Sequence, residues 1–202
     1  MREFERVQVH SREELRTWLA ANHARTESVW LMTFRKHVDG KHVPWDHVVD
    51  EALCFGWIDS LPRKLDADRS MLLISPRRPG SPWSRLNKQR VERLLAAGLM
   101  MPPGLAAVQQ AQQDGSWTVY DEIEDLVVPD DLARALAHNE EAARHFHAFS
   151  DSSKKSILWW IKSAKQAATR HRRIAETVRL AQHDVKANHP EARAFERQHR
   201  SR

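Results

Sequence analysis

The stretch SPRRPGSPWSRLNKQR, residues 75–90, sets the tightest limit on how this chain can fold. Pro76, Pro79 and Pro82 each fix φ and remove a backbone donor, so neither a central strand nor a helix can run through it. A strand must therefore end near Pro76. Ser81-Pro82 then reads as an N-cap followed by a first helical residue, which predicts a helix over 82–97 that closes before Gly98. Upstream, Trp57 to Leu61 and Met71 to Ser75 alternate like strands around the polar turn LPRKLDADR, predicting an antiparallel hairpin. The stretch is thus expected to be a stiff strand-to-helix corner that carries Arg77 and Arg78 on an extended arm.

The same reading places the other elements. A short strand is expected over 4–9. Ser11 and Glu14 form a capping box that opens a helix over 12–21. SVWLMTFRK reads as a second strand, ended by Asp39-Gly40. In WDHVVDEALCF the apolar residues recur at helical spacing from Pro44 to Phe55, and Gly56 stands where a left-handed cap is wanted. Pro102-Pro103-Gly104 marks a boundary before the short helix LAAVQQAQQ. The last third is helical throughout, with Asp130, Asn139 and Ser150 or Asp151 as N-caps. The expected fold class is α+β: a small antiparallel sheet with helices packed on it, then an all-helical C-terminal region. The expected divisions are an α+β domain over 1–113, an acidic connector over 114–128, a helical region over 129–185 and a flexible tail over 186–202.

Charge is unevenly distributed along the 202 residues, although the net value is only +5. Residues 72–95 carry 6 basic groups against 1 acidic, 96–150 carry 2 against 9, and 151–182 carry 8 against 2. Two basic blocks flanking an acidic one either neutralise each other or leave a face for an anionic partner. Cys54 is the single cysteine, which excludes a disulfide framework and a thiolate zinc cluster. The charged N-terminus lacks a signal-peptide core and no window approaches the length of a membrane span, so a cytoplasmic protein without membrane insertion is expected.

EALCFGWIDS at 51–60 and SPRRPGSPWSRLNKQRV at 75–91 carry a resemblance when taken in order with four other pieces. These are the early VWL strand, GLM, PPG and the C-terminal WWI…AK…TR..RIAETV. The chain resembles the YdeI/OmpD-associated, or bacteriocin-protection, family. That resemblance implies an α+β N-terminal region in the style of YdhG-like domains, followed by a helical region. It also implies a part in tolerance to bacteriocins or antimicrobial peptides through association with an outer-membrane porin.

The residues themselves suggest a binding cleft. Alternation puts Trp57, Asp59 and Leu61 on one strand face, and a carboxylate beside tryptophan calls for a partner, for which the basic stretch opening at Arg77 is the candidate. Arginines beside a helix N-terminus make an anion site. Trp57, Asp59, Arg77, Arg78, Trp83, Ser84, Asn87 and Lys88 are therefore expected to hold a small anion or a peptide, in a non-catalytic stress-tolerance protein. The competing structural reading pairs the arginines with Asp59 or with the acidic 114–131 segment. Two other classes stay open. The basic C-terminal helices could contact nucleic acid through Arg170, Arg172 and Arg173, or Asp59 could serve an enzyme as general base. The 12 histidines show no metal-ligand spacing and no phosphate loop occurs, so neither metal nor cofactor is expected. Cys54 reads as core packing.

Overall fold

The structure, a computed structural model, describes residues 4–199. The chain divides between Val119 and Tyr120 into two compact units. The fold class is α+β.

In the first unit β1 (Glu5–Gln8), β2 (Val29–Phe34), β3 (Trp57–Lys64) and β4 (Arg69–Pro76) form one sheet in the order β1-β2-β4-β3. The hairpin expected around LPRKLDADR is present, with Trp57 opposite Pro76 and Lys64 opposite Ser70. β2 also pairs antiparallel with β4. The sheet is nevertheless mixed rather than antiparallel, because β1 runs parallel to β2. The intervening helix α1 (Arg12–Asn22) accounts for this, since a helical crossover returns the chain to the end from which it started. Pro62 is tolerated because β3 is an edge strand, and the ladder is bulged between Asp59 and Pro62.

Helix α2 (Trp45–Cys54) is the centre of this unit, and every residue from Val48 to Cys54 is buried. Two of those residues are acidic. Glu51 is 2% exposed and accepts from Arg12 Nε at 2.6 Å and Arg16 Nη1 at 2.7 Å, both on α1. Asp50 accepts from Arg90 Nη1 at 3.0 Å and Arg93 Nη2 at 2.8 Å, both on α3 (Arg85–Ala96). Arg90 also pairs with Asp46. A buried carboxylate is tolerable only when paired and hydrogen-bonded in this way. Helix α4 (Pro102–Gln113) then closes on the end of α2. A Cβ built at Gly104 would lie 2.3 Å from the Cys54 carbonyl oxygen, so only glycine permits this approach.

The second unit is helical: α5 (Asp121–Glu124), α6 (Asp130–Ala137), α7 (Glu140–Ala148), α8 (Asp151–Lys162), α9 (Ala167–Ala181) and α10 (Pro190–His199). Asn139 and Ser150 cap α7 and α8 as their sequence positions suggest, accepting from Ala142 N and Ser153 N. Pro129 occupies the N-cap of α6, which moves Asp130 into its first turn, where a carboxylate still favours the helix dipole. Leu132, Phe146, Ile157, Ile161, Ile174 and Leu180 form its core. The stretch expected to be a flexible tail contains α10, with Ala192 buried, while its last three residues lie outside those described.

Candidate functional site

The corner after β4 is held at both ends by backbone bonds. Arg77 N donates to Gly56 O at 2.9 Å, continuing the β3–β4 ladder by one step. Ser81 N closes a turn onto Arg78 O at 3.2 Å, with Gly80 at φ +73°. Trp83 N then donates to Ser116 O at 3.3 Å, and the indole, 1% exposed, packs 5.0 Å from the Trp117 ring. That contact corrects the expected helix start. Helix α3 begins at Arg85 and is capped by Ser84 rather than Ser81, Trp83 N being bonded to Ser116 O in the segment before the helix. The Ser84 hydroxyl accepts from Asn87 N at 3.3 Å.

Arg77 is the unusual residue. Its guanidinium carbon lies 3.6 Å from the centroid of the Trp83 ring, and Nη2 donates to the carbonyls of Ser81 and Pro82. Its Nε and Nη1 are buried and meet no protein acceptor. Arg35 and Arg90 each leave only Nε in that state among the described residues. Burial lowers the Arg77 pKa to about 10, which leaves it a cation at neutral pH. No carboxylate lies within ion-pair distance of Arg77 or Arg78 among the described residues.

Arg77 and Trp83 line a cavity of about 140 Å³ with Arg78, Gln110, Asp114 and Ser116. Ala107 and Ala111 of α4 and the Pro79-Gly80 turn complete its wall. Asp114 bridges the two sides, its Oδ1 accepting from Ser116 N at 2.9 Å and its Oδ2 from Gly80 N at 3.1 Å. Hydrogen bonds from Ser116, with help from the Gly80 and Gln110 groups, hold this carboxyl below the usual carboxylate range.

The structure therefore brings together Arg77, Arg78 and Trp83 of the eight expected cleft residues, and separates the rest. Trp57 is fully buried, with Nε1 donating to His23 O at 3.1 Å and its ring edge-on to Trp18. Asp59 accepts from Trp45 Nε1 at 3.2 Å and does not meet Arg77. The register explains why: Asp59 stands opposite Ile74, three residues before Arg77, or about 10 Å along a strand. Asn87 and Lys88 lie along α3 outside the cavity wall, with Lys88 Nζ 5.8 Å from the Trp117 ring. Gln110, Asp114 and Ser116 escaped the sequence reading. Their signal was the turn Asp-Gly-Ser directly after an amphipathic helix, which reads as part of an acidic connector when charge alone is followed.

The basic C-terminal residues are engaged differently. Arg170 makes a two-point contact with Asp131 at 2.6 and 2.8 Å, tying α9 to α6. Arg173 donates to Trp160 O and to Ser163 Oγ and lies over the Trp160 ring, while Arg172 is exposed. No cluster of three or more metal-ligating side chains occurs among the described residues, and none of their helices is long and apolar enough to cross a membrane.

No curated protein and no solved structure matches the chain. Residues 125–183 match the family described as bacteriocin-protection, YdeI or OmpD-associated, which shows the resemblance over the stretch that contains WWI and RIAETV. Residues 7–107, which include EALCFGWIDS and SPRRPGSPWS, match a different family, described as a domain of unknown function (DUF8412). Because that second match spans half of the sequence, the chain belongs to the DUF8412 family and carries a YdeI/OmpD-associated domain in its C-terminal unit.

Proposed function

We propose that the first unit binds a small anion in the cavity beneath the proline-rich corner, with Arg77 as its anchor. One observation carries this reading: Arg77, a part-buried cation with no carboxylate partner, lines a cavity, and two of its donors meet no protein acceptor. A buried unpaired donor costs roughly 1–3 kcal/mol, so such a group calls for a partner from outside the protein, a water or an ion. Size supports an anion over a peptide. At about 140 Å³ the cavity is well below the roughly 300–1,000 Å³ of ordinary small-molecule sites. The match of residues 125–183 to the bacteriocin-protection family supports bacteriocin tolerance, in the cytoplasm, as the setting for such anion binding.

Arg77→Met is the decisive variant. It keeps an unbranched side chain against Trp83 while removing the charge and both orphaned donors; because it also gives up the Nη2 bonds to Ser81 and Pro82 O, its melting temperature without added anion is measured first. Parent and variant are compared by thermal shift with phosphate, sulfate and propionate at matched ionic strength. Stabilisation of the parent is expected, about 2.7 kcal/mol at a hundredfold excess over Kd, with none in the variant. Equal responses from both proteins would refute Arg77 as the anchor.

A further inference from the structure

We propose that the outer face of the first unit's sheet, the one turned away from its core, binds single-stranded nucleic acid through Arg6, Arg63 and Arg69. Alternation along the strands sorts their side chains onto two faces. Val29, Leu31, Trp57, Leu72 and Ile74 belong to the core shared with α1, α2 and α3. The residues between them, Trp30, Met32, Ile58, Met71 and Leu73, neither join that core nor pack against it. Charge is sorted in the same way. Glu5 and Asp59, the carboxylates of the four strands, stand opposite Val29 and Ile74 on the core face. The three strand arginines stand on the outer face, where Arg6 is level with Trp30, Arg63 with Met71 and Arg69 with Phe34.

Two of these cations are left over by the fold. Arg6 is exposed and has no partner among the described residues. Arg63 is exposed, lies over the Trp30 ring at 4.9 Å from its centroid and has no carboxylate partner. Arg69 alone is paired, with Asp66 and with Gln8. A face with three guanidinium groups, an apolar strip and no acid attracts a polyanion that also carries apolar rings. Arg6 on β1 and Arg63 on β3 flank the strip from the two edges of the sheet, about 14 Å apart. A strand crossing the sheet would meet a phosphate contact at each edge, and its bases would lie on the Arg63 plane and the strip between. Other occupants fit less well. A second copy would set three arginines against three, and a bilayer calls for protruding apolar side chains, whereas Trp30 is 8% exposed beneath Arg63. A duplex presents no unstacked base.

The test is fluorescence anisotropy of labelled oligo-dT and oligo-rU of about 12 nucleotides with the full chain. Stacking and phosphate contacts are indifferent to the sugar, so the two oligomers are expected to bind alike. Three phosphate contacts predict a slope of about −2 for log affinity against log salt. Arg6→Gln combined with Arg63→Gln removes exposed side chains that hold no ion pair, and should weaken binding at least tenfold and flatten the slope to about −0.7. Arg172→Gln, exposed on the second unit, and Arg77→Met should each leave binding unchanged. The proposal falls if the parent binds neither oligomer at about 50 mM salt, if the sheet pair binds like the parent, or if Arg172→Gln causes the loss. It falls equally if a duplex of the same length, oligo-glutamate or phosphatidylglycerol vesicles compete as well as the unlabelled oligomer. A melting curve of the sheet pair that matches the parent's shows that any loss is one of contact rather than of folding.

Discussion

Replacing Gly104 with alanine adds a single methyl group where α4 meets the backbone at the end of α2. The new Cβ would sit 2.3 Å from Cys54 O, 2.7 Å from Cys54 C and 2.7 Å from Leu53 O, all of them backbone atoms that cannot rotate aside. Restoring ordinary contact at 3.4 Å requires α4 to retreat by about 1 Å. That retreat pulls on the Met101 N to Cys54 O bond, now 3.1 Å, and opens a gap between two packed helices. Overpacking of this kind costs about 1–3 kcal/mol, and loss of the hydrogen bond adds about 1 kcal/mol. Alanine's better helix propensity returns at most about 1 kcal/mol. The net expectation is a loss of about 1–3 kcal/mol, or roughly 2–12 °C in melting temperature for a chain of this size. Differential scanning calorimetry on parent and variant measures it directly. Gly98→Ala is the useful comparison, because nothing lies within 4 Å of its Cβ position and only its positive φ opposes the change. A Gly104→Ala protein that melts within 1 °C of the parent would refute the argument from backbone approach. The shift also has a functional reading, since α4 carries Ala107, Gln110 and Ala111 into the cavity wall.

Other substitutions separate structural from functional charges. Asp50→Asn should cost about 3 kcal/mol and Glu51→Gln about half of that, because Arg90, 9% exposed, is left with Asp46 alone, whereas Arg12 and Arg16, at 29% and 32%, can regain water. Urea unfolding gives both values, and the reverse order would contradict the assignment. The Arg170 hydrogen bond holds the Asp131 carboxyl below its ordinary range. The stability it contributes is complete above the unfolded value of about 3.9 and disappears as pH falls through the lower folded value. Asp131→Asn should therefore be less stable than the parent at neutral pH, and acid unfolding should bring the two curves together. Asp59→Ala should cost under about 1 kcal/mol and leave ligand binding at the cavity unchanged, since its one partner is the half-exposed Trp45 indole. A lost binding response in that variant would return Asp59 to the site.

Local signals were the ones the sequence displayed well. Pro76 stopped β4, Gly56 ended α2, and Asn139 and Ser150 capped their helices, each for reasons contained within a few residues. The parallel pairing of β1 and β2 was hidden because strand direction depends on how a crossover packs, and β1 offers only four residues from which to read it. The cavity was half visible. Arg77, Arg78 and Trp83 stand together in the chain, whereas their partners come from α4 and the turn after it, about thirty residues away, and no local period marks that approach. The pairing of Asp59 with Arg77 failed on register, which a hairpin sequence with a bulge does not determine. Nothing in the sequence marks Arg12, Arg16, Arg90 and Arg93 as paired, since charges on amphipathic helices are ordinarily solvated. Their role appears only once Asp50 and Glu51 are known to be buried.

Those two adjacent acids have a consequence for how the first unit assembles. Neighbouring residues on a helix point about 100° apart, so Asp50 is claimed by α3 and Glu51 by α1 on different sides of one rod. Turning α2 by a single residue would carry each carboxylate away from its own arginines and strand it among apolar neighbours. An apolar helix with the same packing volume would tolerate such a slip far better. The two clamps thus act as a rotational key, allowing α2 to seat at one angle only. Because α2 meets both β3 and α4 at its C-terminal end, the angle set by the key also aligns the corner and the cavity wall that lie beyond it.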